Sequence, residues 1–284
     1  MQNKSILGIL LMIAGTFTLG INDIIVKGLS FKFPIWEIVF FRALSGLILS
    51  IFLIMIFGNA TIKTKKPIAH LIRAFSSSFC VVLFFFGIKF LLLSENQAIY
   101  HTAPIIASIL AIPILSEKIG FHRIVAISIG FIGTLIILKP GTDLFKIYSL
   151  IPLASAFFMA ISYLATRYLM KTESSVAIIF YYSLALFFTS LFFLPKNFIM
   201  PNLYELIPLT LIGIIGSLGH FFLSQSAKNA EVTVITPFEY TSFIFVTLLA
   251  FIFYNQVPDI SIYIGAIFII ISGIYIIYRE QKRF

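Results

Sequence analysis

Charged side chains are scarce in this sequence. Asp, Glu, Lys and Arg make up 11% of its 284 residues, whereas a soluble domain carries about 25%. Hydrophobic residues account for 60%, and the mean hydropathy is +1.07. Long apolar stretches fill nearly the whole chain and leave no separate stretch for a soluble domain. The composition therefore excludes a soluble enzyme or binding module and predicts a protein embedded in the lipid bilayer.

Cysteine and the common catalytic motifs are also lacking. The single cysteine, Cys80, excludes an internal disulfide and lies in an apolar run, where a thiol packs like a small hydrophobic group. The sequence contains no HExxH, no Cys/His metal spacing and no phosphate-binding GxxxxGK[ST] motif. We therefore expect no metal, no cofactor and no ATP-hydrolysing domain that would drive transport. Uphill transport of a solute would draw on an ion gradient, such as protons, or on exchange for another solute.

The basic residues lie between the apolar segments. The net charge of +9 therefore does not indicate nucleic-acid binding, which would place Lys and Arg together on one amphipathic face. With a cytoplasmic N-terminus, thirteen of the twenty basic residues face the inside, six face the outside, and Arg42 lies within a span. This bias predicts a multi-pass protein of the cytoplasmic (inner) membrane with both termini in the cytoplasm.

Ten apolar segments are long enough to cross a bilayer, which needs about 20 residues per helix for a core of about 30 Å. Their apolar runs are continuous, and short gaps rich in Pro, Asn and Lys separate them. We therefore predict an all-α integral membrane protein with ten transmembrane helices. The predicted segments are 5–27, 35–57, 68–90, 95–115, 121–139, 147–168, 175–194, 205–226, 231–254 and 259–278.

The two halves of the chain match at a nearly constant offset. Phe17 corresponds to Phe157, 140 positions further on, and Lys89 corresponds to Lys228, 139 positions further on. Each half holds five predicted helices, an odd number, so the second copy must enter the membrane upside down. Inverted repeats of this kind are typical of secondary transporters, in which the solute binds near the midplane. We expect repeats over residues 1–140 and 141–284.

Several motifs resemble one transporter family. The first half contains FGIK, AIYHTAP, LSEK, GFIG and KPG, starting at Phe86, Ala98, Leu115, Gly130 and Lys139. This series resembles the end of an EamA-type domain of the drug/metabolite transporter superfamily. Asn22-Asp23, Lys27 and the stretch from Pro34 to Arg42 are similar to its first two helices. The second half departs from the pattern, because Gln256 stands where a Glu is usual and Phe243 where a Pro is usual.

This resemblance covers essentially the whole chain. It implies ten helices, cytoplasmic termini, and export or uptake of small metabolites such as amino acids and their derivatives by alternating access. The opening helices and the segment from Pro237 to Asp259 also resemble the subgroup that takes up S-adenosylmethionine. Uptake or exchange of S-adenosylmethionine is therefore the alternative function that the resemblance implies.

Glu239 is the acidic residue that we expect to contact a solute. It lies about eight residues into the ninth predicted helix, roughly 12 Å deep at 1.5 Å per residue. An ionisable group within a span costs about 2.5–3.5 kcal/mol on insertion scales and therefore needs a partner or a watery cavity. Glu239 would serve as a counter-charge for a cation or as a proton-carrying carboxylate. The competing interpretation is a protonated or hydrogen-bonded packing residue.

Polar aromatic residues accompany this acid in both halves. Tyr240 follows Glu239 directly, and Tyr100 and His101 occupy the matching part of the fourth predicted helix, ahead of Pro104. A kink at Pro104 would free backbone carbonyls that suit a cavity wall. We therefore predict that Glu239, Tyr240, Tyr100 and His101 line the solute site. A hydrogen bond between helices is the alternative role for His101.

Other candidates leave more alternatives open. Asp23 is predicted either to contact the solute or to form an ion pair, with Lys27 one turn later or with Arg42 in the second helix. Tyr163, which corresponds to Asp23 by the repeat, and His220 are further candidate solute contacts, with packing as the alternative for both. Trp36 and Glu37 begin the second helix and are predicted to lie at the membrane interface, with the carboxylate solvated.

Two functions of other classes compete with transport. The stretch from Gly216 to His220 (GSLGH) places Ser217 and His220 on one helix, which raises an intramembrane hydrolase as an alternative, although a catalytic dyad normally draws its two members from different helices. A membrane scaffold or receptor would be expected to carry extramembrane domains. We therefore predict a secondary transporter that is not an enzyme, with helices 1, 3 and 4 facing helices 6, 8 and 9 around the solute.

Overall fold

The protein is an all-α membrane protein, seen here in a computed structural model. The structure describes residues 2–57, 62, 64–103, 105–107, 109–110, 121–139, 147–169, 172–194, 198–229 and 236–281. Ten α-helices lie within these ranges: α1 (Gln2–Leu29), α2 (Ile35–Phe57), α3 (Pro67–Phe90), α4 (Leu93–Tyr100), α5 (Phe121–Leu138), α6 (Leu150–Leu169), α7 (Ser175–Phe192), α8 (Leu203–Asn229), α9 (Thr241–Tyr254) and α10 (Ile260–Gln281). Short 3₁₀ helices, Ile147–Ser149 and Thr236–Tyr240, precede α6 and α9.

The helices have the length and the surface of membrane spans. Five apolar stretches, in α1, α2, α3, α6 and α8, are long enough to cross a bilayer, and α5, α7, α9 and α10 are apolar but shorter. Large apolar side chains face outward, as Ile48, Phe52 and Met55 do along α2. An aqueous surface would not sustain so wide an apolar area. The outer surface therefore fits lipid, and the membrane prediction is confirmed.

Pairs of helices from opposite halves pack against each other. The most extensive pairings are α1 with α8 and α3 with α6, followed by α5 with α10 and α2 with α7. If each helix is replaced by its counterpart five places away in the chain, the pair α1 with α8 becomes the pair α6 with α3. The pairs α5 with α10 and α2 with α7 are unchanged by this replacement. The pairings of α2 with α8 and of α3 with α7 exchange in the same way. The packing thus has the pattern expected of two similar five-helix units.

Glycines allow a close crossing between α5 and α10. A Cβ atom on Gly133 in α5 would lie 2.7 Å from the carbonyl oxygen of Gly265 in α10, and one on Gly265 would lie 2.6 Å from the carbonyl oxygen of Gly133. No larger residue fits at either position unless the helices move apart. Small residues bring helix backbones together in membranes, where no hydrophobic force acts between helices. This crossing explains the role of Gly133 in the GFIG motif.

Two charged residues occupy different places from those predicted. The Lys27 ammonium donates to the carbonyl oxygens of Ile88 (2.5 Å) and Leu91 (3.0 Å), and so caps the end of α3 instead of pairing with Asp23. Glu37 is fully buried and accepts a hydrogen bond from the Ile199 backbone N–H at 2.9 Å. The prediction of a solvated Glu37 is therefore wrong, because the segment that follows α7 covers the start of α2.

The predicted helix boundaries hold to within a few residues except in the fourth and ninth segments. The fourth, predicted over 95–115, begins as α4 and is interrupted by a turn at His101 and Thr102 before helical residues resume at 103. The ninth, predicted over 231–254, is a 3₁₀ helix that passes into α9 at Thr241. Pro104, and with it the predicted kink, lies outside the described residues.

Candidate functional site

A carboxylate and two tyrosines meet where these interrupted segments approach each other. The Tyr163 hydroxyl, from α6, donates a hydrogen bond to Oε1 of Glu239 in the 3₁₀ turn. Tyr100, the last residue of α4, lies close enough to interact electrostatically with both. Its hydroxyl also meets the thiol of Cys80 in α3. We call Glu239, Tyr163, Tyr100 and Cys80 the acidic cluster.

Local structure at the start of α9 holds Glu239 in place. The Thr241 hydroxyl bonds back to the Phe238 carbonyl at 2.6 Å and lies 3.2 Å from the Thr16 hydroxyl of α1. The 3₁₀ turn is thus attached both to α9 and to α1. A polar residue on such a turn can face the interior of the protein. On a regular helix, its direction would be fixed by the helical period of about 3.6 residues per turn.

His101 and Tyr240 lie beside the acidic cluster with partners of their own. Nε2 of His101 lies 2.9 Å from the Ser242 hydroxyl, and the Gln97 side-chain amide donates to the same hydroxyl at 3.0 Å. The rings of His101 and Tyr240 are 5.1 Å apart. The Tyr240 hydroxyl points at α10, where a Cβ on Gly273 would lie only 1.6 Å away. These residues link α4, α9 and α10, so His101 makes the hydrogen bond between helices that was the alternative to solute contact.

A pocket of about 270 Å³ of empty space, including its open part, lies between α2, α7 and α8. We call it the basic pocket, because Arg42 is the one permanently charged residue among the eleven described residues that line it. The lining residues are Arg42, Ala43, Gly46, Ile179, Tyr182, Ser183, Leu186, Gly213, Gly216, Ser217 and His220.

The Arg42 guanidinium is buried and only partly satisfied. Its Nη1 donates to Oδ1 of Asn22 at 2.6 Å, and Asn22 in turn donates to the Ile212 carbonyl at 2.6 Å. The Phe85 ring lies 5.3 Å from the guanidinium carbon, at cation–π distance. An Arg side chain has five N–H donors in a planar fork. Donors therefore remain available on the side that faces the pocket.

Asp23 and His220 belong to this basic pocket and its surroundings, apart from the acidic cluster. His220 lines the pocket and contacts the Tyr182 ring, with 5.7 Å between centroids. Asp23 is buried and interacts electrostatically with Arg42. Within the described part of the chain, however, no oxygen of Asp23 comes within ion-pair distance of the guanidinium, which bonds Asn22 instead. The predicted structural bridge is therefore replaced by an arginine–asparagine hydrogen bond.

The seven predicted contact residues thus divide into two groups. Glu239 and Tyr163 share a hydrogen bond, with Tyr100, His101 and Tyr240 close by, whereas Asp23 and His220 lie near Arg42. Sequence reasoning did not identify Tyr182, Ser183 or the place of Cys80, which it assigned to packing. A hydroxyl within an apolar helix is the only available signal at these positions, and most such hydroxyls bond a carbonyl of their own helix, as Ser78 does at 2.8 Å.

Comparison with known proteins gives consistent matches over the full length. A model of the EamA-like transporter family matches residues 6–139 and again residues 146–279. The chain is 28% identical over 275 residues to the S-adenosylmethionine uptake transporter of Rickettsia prowazekii (strain Madrid E), covering 97% of this chain and 94% of that protein. It is 26% identical to the pseudopaline exporter of Pseudomonas aeruginosa (strain UCBPP-PA14), covering 94% of each.

A solved crystal structure shares the fold. It superposes with a TM-score of 0.67 at 15% sequence identity, covering 99% of this chain and 98% of the other. At this level of identity the match speaks for the architecture and says nothing about the solute. The two matches of the family model fall on either side of residues 140–145, close to the expected division at residue 140.

Proposed function

Because the chain belongs to the EamA-like transporter family, we propose that it moves a cationic amino-acid derivative across the cytoplasmic membrane by alternating access, with the acidic cluster as its solute site. Transport of a small metabolite is the activity that the named relatives share, and it is the activity of this protein. The protein is accordingly a transporter and not an intramembrane hydrolase. The location of the solute site, the identity of the solute and the transport mechanism are what we propose here.

The hydrogen bond from Tyr163 to Glu239 is the observation that carries this proposal. It holds a carboxylate inside the protein, where an isolated charge would be costly. One phenol cannot neutralise that charge, whereas a cationic group would. The arrangement therefore favours an ammonium or sulfonium group as the occupant.

The packing supports alternating access between two inverted repeats. The acidic cluster draws Cys80 and Tyr100 from the first half of the chain and Tyr163 and Glu239 from the second. Its elements include α4, which ends at Tyr100, and the 3₁₀ turn that leads into α9. Broken helices at the repeat interface are where secondary transporters bind solute, because unwound backbone exposes polar groups there. Rocking of one half against the other would open this cluster to each side in turn.

S-adenosylmethionine is the solute to test first. Relatives named as its uptake transporters match nearly the whole chain, with 28% identity in one Rickettsia species and 29% in another. The molecule carries a sulfonium and an ammonium group, either of which would complement Glu239. A relative named as an exporter is also among the matches, so export is a second direction to consider for this solute.

The test is uptake of radiolabelled S-adenosylmethionine and amino acids into proteoliposomes, with and without a pH gradient. We expect saturable uptake by the wild type and at least a tenfold loss in Glu239→Gln, which keeps the shape of the side chain and removes its charge. Glu205→Gln is the matched control, because Glu205 pairs with Lys32 at the far end of α8. Equal uptake by the wild type and Glu239→Gln would refute the role of the acidic cluster. Absence of uptake for every solute would refute the proposed solute class.

A further inference from the structure

We infer that the basic pocket binds the carboxylate of the transported solute, while the acidic cluster binds its cationic end. This inference rests on the proposed function and extends it to a substrate class: amino acids that carry an additional positive charge. The inference gives the solute a second contact region. This region lies on α2, α7 and α8, which are not the helices that surround Glu239.

Three hydroxyl groups of the basic pocket have no hydrogen-bond acceptor within the described part of the chain. The Ser183 and Ser217 hydroxyls both converge on Gly46, where an added Cβ would lie 3.3 Å and 3.1 Å from them, and neither makes a hydrogen bond within the described part of the chain. The buried Tyr182 hydroxyl is near Arg42 but has no partner with hydrogen-bond geometry there. Buried polar groups in native proteins are almost always satisfied. A ligand with acceptor oxygens would satisfy all of these groups together.

The charge of the pocket indicates a single negative charge on that ligand. Arg42 contributes a positive charge that Asp23 does not pair with directly. Arg73, the next cation, is already engaged, because its Nε donates to the Thr166 hydroxyl at 3.0 Å and its Nη1 to the Ile178 carbonyl at 3.2 Å. One guanidinium fork matches one carboxylate bidentately. A dianionic phosphate would need further cations, which the described lining residues do not supply.

The two regions are joined by neighbouring residues of α3. The Phe85 ring lies 5.3 Å from the Arg42 guanidinium carbon, and the Phe84 ring lies 4.9 Å from the Tyr100 ring. A solute that binds both regions must therefore carry its negative and positive charges at opposite ends. An amino acid with a positively charged side chain has this arrangement, and so does the methionine part of S-adenosylmethionine.

The experiment compares S-adenosylmethionine with its decarboxylated analogue, which keeps the sulfonium, the amine and the adenosyl group. Each is titrated as a competitor of labelled S-adenosylmethionine uptake in proteoliposomes that contain wild type, Arg42→Gln or Arg42→Lys. In the wild type we expect removal of the carboxylate to weaken competition at least tenfold. In Arg42→Gln the two competitors should become equal within about twofold, and Arg42→Lys should recover part of the difference.

A structural role for Arg42 gives a different result. It would lower uptake in the variant while leaving the ratio between the two competitors unchanged, and that outcome would overturn the inference. If Arg42→Gln does not fold, Ser183→Ala supplies the milder test, with an expected threefold to tenfold loss for the carboxylate-bearing competitor alone. Ser128→Ala is its control, since that exposed hydroxyl bonds only the Ile124 carbonyl of its own helix.

Failure of this inference is distinguishable from failure of the proposed function. Wild-type uptake without any preference for the carboxylate would overturn the inference and leave transport through the acidic cluster standing. Absence of uptake by the wild type would overturn both.

Discussion

The acidic cluster and the basic pocket differ in how completely the protein satisfies them. Glu239 already accepts a hydrogen bond from Tyr163, and His101 beside it bonds Ser242. In the basic pocket, by contrast, the Tyr182 hydroxyl has no hydrogen-bond partner within the described residues. The comparison teaches that the protein itself holds the carboxylate of the acidic cluster, although the adjoining Tyr240 hydroxyl, like that of Tyr182, has no hydrogen-bond partner within the described residues. In the basic pocket the Ser183 and Ser217 hydroxyls lack partners there as well. A solute should therefore order the basic pocket more than the acidic cluster.

Each region also depends on a glycine that makes room for one of its side chains. An added Cβ at Gly273 would lie 1.6 Å from the Tyr240 hydroxyl, and one at Gly216 would lie 2.6 Å from Nη1 of Arg42. The Tyr240 ring is rigid and buried, so it has no easy way to move aside. The Arg42 guanidinium is the far end of a flexible side chain. The same substitution should thus damage the two regions unequally.

Gly273→Ala is expected to have the largest effect. The added methyl group must displace the Tyr240 ring and, through it, His101, and overpacking of this kind costs about 1–3 kcal/mol. We expect at least a tenfold loss of uptake together with a lower melting temperature in detergent. Gly20→Ala is the matched control, because its Cβ would make only an ordinary contact with Val246 at 3.4 Å. Equal behaviour of the two variants would show that the Tyr240 position is not critical.

Tyr163→Phe removes the hydrogen bond on Glu239 and keeps the ring. A hydrogen bond to a charged group contributes about 1.5–3 kcal/mol, so we expect KM to rise about tenfold with little change in melting temperature. Tyr204→Phe serves as the control, since Tyr204 is exposed at the start of α8. An unchanged KM in Tyr163→Phe would mean that the cation binds elsewhere.

Gly216→Ala should have a smaller effect that is specific to the basic pocket. The guanidinium can shift by bending its side chain, so the fold should tolerate the methyl group. We expect the preference for S-adenosylmethionine over its decarboxylated analogue to fall about threefold to fivefold, as measured by competition. A uniform loss for both competitors would instead indicate general misfolding of the crossing between α2 and α8.

The smallest effect on uptake is expected from the exposed Asp259 between pH 5 and 8. The exposed Asp259 has a pKa lowered to about 2, because the Ser261 hydroxyl and backbone N–H donate to it and Lys139 lies nearby. A carboxyl with a depressed folded pKa contributes stability above its unfolded pKa of 3.8 and loses it only as the pH falls through about 2. It therefore does not titrate between pH 5 and 8.

Uptake measured across that window tests this assignment. We expect Lys139→Gln, which removes the cation near Asp259, to leave the pH profile of uptake between pH 5 and 8 unchanged. A profile that differs from that of the wild type in this window would contradict the assignment.

Much of the architecture could be predicted from the sequence, and much of the site could not. The apolar runs predict most of the helices to within a few residues, and the offset between the halves placed Tyr100 in the part of the fourth helix that matches Tyr240. The places of Lys27 and Glu37 were missed because both are held by backbone groups, the carbonyl of Ile88 and the N–H of Ile199, that are distant in sequence. No side-chain pattern marks such a partner.

The sequence by itself determined that the chain is helical, lies in a membrane and belongs to a family of transporters. The hydrophobicity of a segment of about 20 residues decides whether it inserts into the membrane, and this sum does not depend on which other helices pack against it. Only the tertiary structure decided that Arg42 bonds Asn22 instead of Asp23, and that Tyr163 reaches Glu239 across 76 residues. Helix faces that are almost uniformly apolar can pack in many registers, so the partner of each rare polar group depends on close packing at crossings such as Gly133 with Gly265.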